Sequence, residues 1–148
     1  MNIGEQYYCS CCMAELNEEG TCYKCGYDPQ GETDPNALEE GALLQGIRFQ
    51  IGAVRKKNEI YIMYGAYDYL KQKPVYILEI YPDIGLTRKK DRICASCREM
   101  EKQFADIKAR VALSITSYYE MFEDNNTIYF SLPIETEKAE RLSTRQVS

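Results

Sequence analysis

The chain has 148 residues, 45% of them apolar, a formal net charge of -5 and no histidine. That length suits one compact domain with a small attachment, the acidity argues against general binding to nucleic-acid backbone, and the missing histidine removes the commonest acid/base group and nitrogen metal ligand. No apolar run approaches the roughly 18 residues that cross a bilayer, and the opening MNIGEQYYCS lacks a signal-peptide pattern, so the expectation is a cytoplasmic protein with no membrane partner.

Four of the seven cysteines form a pattern: Cys9-x2-Cys12, nine intervening residues, then Cys22-x2-Cys25 followed by Gly26. Two such pairs on short turns read as a zinc ribbon, with Cys9, Cys12, Cys22 and Cys25 as the ligands. The competing reading, two disulfides in a secreted miniature fold, lacks a signal peptide. So short a segment cannot bury enough apolar surface to fold alone, and zinc binding, worth about 10–16 kcal/mol in small modules, would order it. Four thiolates leave no position for a catalytic water, which gives Zn2+ a structural role. Cys11 would leave a single residue between ligands and is read as a spare thiol. The ribbon carries Glu5, Glu15, Glu18, Glu19 and Asp28 against Lys24, so it repels phosphate and suits a protein contact better than nucleic acid.

Residues 1–30 therefore read as the ribbon and 31–41, with their Gly, Pro and acidic residues, as a linker. From residue 42 to 136 the pattern is that of a second domain, and 137–148 form a polar tail. GIRFQIGAV, EIYIMYGAY and KPVYILEIY are rich in β-branched and aromatic residues and separated by polar turns, which predicts a three-stranded meander. Residues 94–113 place Cys97, Met100, Phe104, Ile107 and Val111 at three- and four-residue steps, predicting a helix with one apolar face. The same steps would serve a coiled-coil seam, which leaves a homodimer through this helix as an alternative to packing on the sheet. SITSYYEMFE and TIYFSLPI add two strands joined at Asp124-Asn125-Asn126.

The order of three strands, helix and two strands, with these particular words, resembles the amino-terminal lobe of bacterial Ser/Thr protein kinases that carry a zinc ribbon ahead of the kinase domain. The ribbon ends Cys25-Gly26-Tyr27-Asp28-Pro29, and a leader runs from Leu38 through Gly41, Leu44 and Arg48 to Gly52. Next come Tyr64-Gly65-Ala66-Tyr67-Asp68, then Val75-Tyr76-Ile77-Leu78-Glu79-Ile80-Tyr81-Pro82, then Thr87-Arg88, with Phe122 to Thr127 at the fourth-to-fifth-strand turn. The resemblance covers roughly residues 7–134. It implies an α+β fold: an amino-terminal four-cysteine zinc ribbon, then a kinase-type small lobe with a five-stranded antiparallel sheet and one αC-like helix.

The departures bear on function. The register puts Lys56, Asn58 and Tyr61 where the three phosphate-loop glycines would be, and Leu78 where the strand-3 lysine would pair the phosphates. Its glutamate partner falls on Ile107 or Lys108. The resemblance also implies a second lobe carrying the catalytic base and magnesium ligands, for which the residues up to Ser148 provide no counterpart. No catalytic or cofactor-binding residue is assigned, and no ATP binding is expected. The expectation is a non-catalytic, pseudokinase-like module that binds a protein partner, a kinase or signalling protein. The alternatives are half of a split phosphotransferase and a zinc-ribbon nucleic-acid adaptor.

Four features stand outside that reading. Lys56 and Lys57 read as a solvated turn, and Glu79, which follows the lost lysine, reads as having a structural or surface role rather than a chemical one. Cys94-x2-Cys97 could be a redox pair or half of a zinc site shared between molecules, but without a thioredoxin-like context it reads as two ordinary cysteines. Most of the thirteen tyrosines, including Tyr61, Tyr67, Tyr118 and Tyr129, are expected in the core or on sheet faces, with exposed ones suited to an interface.

Overall fold

The structure, a computed structural model, describes residues 1–4, 6–16 and 34–134. A small antiparallel sheet comes first: β1 (Asn2–Ile3), β2 (Gln6–Tyr8) and β3 (Glu15–Leu16), in the order β1-β2-β3. The larger sheet is built from β4 (Leu43–Leu44), β5 (Phe49–Lys57), β6 (Tyr61–Asp68) and β7 (Lys73–Ile80). A hairpin follows, β8 (Thr87–Lys89) with β9 (Arg92–Cys94), then α1 (Arg98–Ser114), and then β10 (Glu120–Asp124) and β11 (Thr127–Leu132), which complete the larger sheet.

The meander β5-β6-β7 forms where strand-like runs were read. β6 and β7 pair without a break from Tyr61↔Ile80 to Asp68↔Lys73. Every residue from Val75 to Ile80 is buried, as a strand covered on both faces requires, and β11 closes its other side through Tyr129↔Glu79 and Phe130↔Leu78. The β10–β11 turn uses Asn125 and Asn126 at φ 50 and 63, the left-handed pair that a two-residue hairpin favours.

The expected five strands are six, in the order β10-β11-β7-β6-β5-β4, and the sheet curls almost into a barrel. The extra strand comes from the leader: Gln45 and Gly46 at φ 53 and 74 turn the chain so that Leu43 and Leu44 pair with Gln50 and Phe49. That turn then reaches the far edge of the sheet. Gln45 N–H donates to Asp124 Oδ2 at 2.9 Å and Gln45 Nε2 to Glu123 O at 2.9 Å. Phe49 stacks on Phe122, and Phe122 on Tyr129, with centroids 5.1 and 5.3 Å apart. Arg48 donates to both Glu120 oxygens, at 2.5 and 2.9 Å, and to Asp68. These contacts cover an edge that would otherwise offer unpaired backbone groups.

The helix begins at Arg98 rather than near Cys94, because β9 claims Arg92–Cys94 for its hairpin. Phe104 is its one fully buried residue; Met100, Ile107 and Val111 are half-buried. Cys97 is exposed and sits at the N-cap instead of joining the apolar face. Leu38, within the stretch read as linker, is 5% exposed and packs in the main core.

Candidate functional site

Successive residues of a strand point to opposite faces, and antiparallel partners share one, so the register divides the central strands cleanly. Ile62, Tyr64, Ile77, Glu79 and Tyr129 stand on one face. Met63, Gly65, Tyr76 and Leu78 stand on the other, joined by Gly52 of β5, since Gln50 pairs with Tyr67.

The first face holds a buried polar cluster. Glu79 is 0% exposed, and its carboxylate accepts hydrogen bonds from Tyr64 Oη at 2.9 Å, Tyr129 Oη at 2.5 Å, Arg88 Nη2 at 2.5 Å and Arg88 Nη1 at 3.2 Å. Arg88 reaches in from β8 and also donates to Asn36 O and Asp91 O. Tyr64 Oη also accepts from the Leu38 N–H, and Tyr129 Oη from Asn125 Nδ2. One charge thus ties three strands, the β8–β9 hairpin and the leader together. Burial, then the neighbouring carboxylate, hold both tyrosine hydroxyls well above their usual pKa, so they stay protonated donors. Of the structural or surface role read for Glu79, burial leaves the structural one, and the Arg of the Thr87-Arg88 word is its counter-ion.

At the positions that correspond to the phosphate loop there is a tight hairpin tip. Asn58 N–H donates to Tyr61 O, and Asn58 Oδ1 accepts from the N–H groups of Ile60 and Tyr61 at 2.8 and 3.0 Å. The side chain therefore fills the space inside the turn with its own bonds. Lys56 is exposed, and Lys57 pairs with Asp34. Burial alone would raise the Asp34 pKa, but the hydrogen bond from Lys57 and that from the Asn36 N–H outweigh it, leaving it below the ordinary value. An open cleft of about 370 Å³ lies beside this tip, lined by Asn36, Lys57, Asn58, Glu59, Tyr81 and Asp83. Its mixture of one cation with two acids is poorly matched to a triphosphate. Leu78 is 6% exposed between Met63 and Phe130. On the helix, Lys108 lies 4.2 Å over the Phe104 ring, and burial lowers its pKa.

The second face is occupied by the amino-terminal segment. Cys9 and Cys12 bracket a turn closed by Met13 N–H to Cys9 O at 2.8 Å and Cys9 N–H to Ala14 O at 2.9 Å, with Met13 at φ 60. This knuckle is pressed onto the sheet. Ser10 O accepts from the Ala53 N–H at 2.7 Å, Cys12 O from Tyr76 Oη at 3.3 Å, and Cys11 Sγ donates to Val54 O at 3.4 Å. A Cβ at Gly65 would lie 2.6 Å from Ser10 O and 2.8 Å from Cys11 O, and one at Gly52 would collide with Ser10 O, so both strands need glycine for the backbones to meet. Sequence reading took Gly52 and Gly65 as parts of family words; a glycine inside a strand pattern was itself the signal of a close backbone approach.

Of the four residues read as zinc ligands, the structure brings Cys9 and Cys12 together on this buried turn, at 2% and 8% exposure. Cys22 and Cys25 lie outside the described residues. Two thiols on one knuckle fit half of a four-thiolate zinc site, and among the described residues no group of three or more metal-ligating side chains forms. Cys94, half-buried, ends β9, and Cys97 caps the helix without a side-chain bond. Tyr64, Tyr67, Tyr76, Tyr81 and Tyr129 are buried, whereas Tyr118 is exposed.

No family model matches the chain, and no curated protein does. Among solved structures, PpkA-294 in its apo form, a bacterial Ser/Thr kinase, is similar, with a TM-score of 0.54 and 19% identity. The alignment covers 72% of this chain and 44% of that one, so the chain spans less than half the length of that kinase. The likeness is one of fold. A mostly β architecture with one helix is compatible with a kinase-type small lobe.

Proposed function

We propose that the chain is a non-catalytic, pseudokinase-like module that binds a protein partner, a kinase or signalling protein, and carries a structural zinc ribbon on Cys9, Cys12, Cys22 and Cys25. The observation that supports this most is the occupant of the Leu78 face: where the resemblance calls for a lysine open to phosphates, a leucine is buried and the chain's own knuckle lies two residues away on Tyr76. A hydrocarbon side chain can neither neutralise phosphate nor hold an ion pair, and the hairpin tip has Asn58 where a loop must let phosphate approach its backbone. With the chemistry gone, a stable scaffold and its surface remain. Leu70, 71% exposed, and Tyr118, 39% exposed, are apolar side chains left in water that suit such a contact. We place this module in the cytoplasm; no helix among the described residues is long and apolar enough to cross a membrane.

The test is a thermal melt of the chain with and without Mg-ATP at millimolar concentration. The expected outcome is a shift smaller than about 1 °C; a rise of several degrees, as mass action requires of a ligand at many times its dissociation constant, overturns the reading. The fold likeness to a kinase favours a second reading, half of a split phosphotransferase, which predicts phosphate transfer from radiolabelled ATP once the complementary lobe is added.

A further inference from the structure

The knuckle sits on a place that β5 prepares for it. Pairing between β5 and β6 slips between Ile51 and Val54, so Ala53 has no register partner on β6 and its N–H is available to Ser10 O at 2.7 Å. Bulges of this kind are specific features that re-aim backbone groups. The two glycines flank the same spot on neighbouring strands, and Tyr76 of the third adds its hydroxyl. Three adjacent strands thus contribute one donor, two clearances and a second donor to four consecutive residues, Cys9 to Cys12.

Those four residues are also the ones a metal would fix. The turn holds Met13 in the left-handed region at φ 60, which a residue with a side chain seldom adopts. Within the described residues the support comes from the sheet on one side and the Cys9–Met13 bond on the other. We propose that the knuckle is a cap on the Leu78 face of the sheet, and that zinc held by the Cys9 and Cys12 thiolates controls how firmly that cap is seated. Ordering the turn with metal lowers the entropy lost on docking, and docking pre-forms the turn for metal; the coupling is reciprocal by thermodynamic necessity. Without metal the cap lifts and bares Gly52, Ala53, Gly65 and Tyr76, the part of the sheet it rests on. This inference rests on the zinc assignment proposed above and not on the protein partner.

Hydrogen exchange on the full chain, loaded with zinc ion and then stripped by a chelator, reads the coupling directly. Removal of zinc is expected to speed exchange in the peptide containing Ala53 at least tenfold while the Ile62–Ile80 amides keep their protection. Gly65→Ala, loaded with zinc, is expected to show the same fast Ala53 exchange and a several-fold weaker zinc affinity against a competing chelator. Should that variant fold poorly, Tyr76→Phe, which deletes the bond to Cys12 O and keeps the ring, is expected to move both readouts in the same direction by a smaller factor. Zinc uptake with Ala53 exchange unchanged, or unchanged affinity in both variants, overturns the coupling and leaves the zinc assignment standing. A chain that takes up no zinc overturns both.

Discussion

Arg88 and Glu79 form an ion pair sealed from water, with Nη2 2.5 Å from Oε1 and side chains 5% and 0% exposed. Two tyrosine hydroxyls complete the carboxylate's shell, so nearly every lone pair that burial strips of water has a donor. The pair links the β8–β9 hairpin to the middle of the sheet and explains why a charge stands in the otherwise apolar run of β7.

Arg88→Met is expected to destabilise the fold by about 3–5 kcal/mol, because it leaves a carboxylate buried without its cation. Urea unfolding monitored by tyrosine fluorescence checks this. A double-mutant cycle with Glu79→Gln is expected to return a coupling of about 1.5–3 kcal/mol. Near-additive losses would mean that the pair acts through packing alone.

Leu78→Lys restores the residue type that the kinase resemblance calls for. It is expected to cost about 2–4 kcal/mol, since an ammonium would enter a buried site between Met63 and Phe130. It is not expected to create an Mg-ATP-dependent rise in melting temperature. Nucleotide binding by this single change would show that the phosphate site is intact.

Arg48 makes the contact that closes the sheet, and the hydrogen bond from its guanidinium, outweighing the opposite effect of burial, holds the Glu120 carboxyl below its usual pKa. A carboxyl depressed in the folded state contributes stability above its unfolded pKa and loses it as pH falls through the folded one. Asp34, also depressed, acts in the same direction. Melting temperature is therefore expected to fall as pH drops below about 4.5, the ordinary carboxylate range. Glu120→Gln is expected to flatten that acid limb and to cost less than about 1 kcal/mol at neutral pH, because the Glu120 side chain is 38% exposed.

Metal analysis of the purified chain is expected to give about one zinc per molecule, with Cys9→Ser and Cys12→Ser each lowering it severely, since three remaining thiolates bind far more weakly than four. Cys94→Ser and Cys97→Ser are expected to leave the content unchanged. Loss of zinc in the latter pair would move the site to the helix terminus.

The fold was legible where side-chain pattern alone sets the structure. Alternating and apolar runs placed β5, β6, β7, β10 and β11, and the Asn125-Asn126 pair marked its turn. The sixth strand was not, because Leu43-Leu44 is two residues long and its pairing depends on Gln45 adopting φ 53 and bonding across to Asp124. The start of α1 moved for a similar reason: periodicity cannot tell that Arg92–Cys94 will pair with β8. Of the candidate site, the spacing of Cys9 and Cys12 could be read, and Leu78 could be seen as a departure. The seat for the knuckle could not, since the two glycines and the bulge lie far along the chain from the knuckle, and a strand glycine signals a close approach without naming the neighbour. Glu79 was open to a sharper reading: an acid inside VYILEIY requires a buried partner, and Arg88 is nine residues on.

The bulge at Ala53 also fixes an order of events. Residues 9–12 leave the ribosome before any of the strands on which they rest, and Ser10 must wait for an amide 43 positions later, and Cys12 for a hydroxyl 64 positions later. Those residues thus find their berth only once the β5-β6-β7 meander has been made, and nascent chains halted short of Tyr76 should carry them loose and open to proteases.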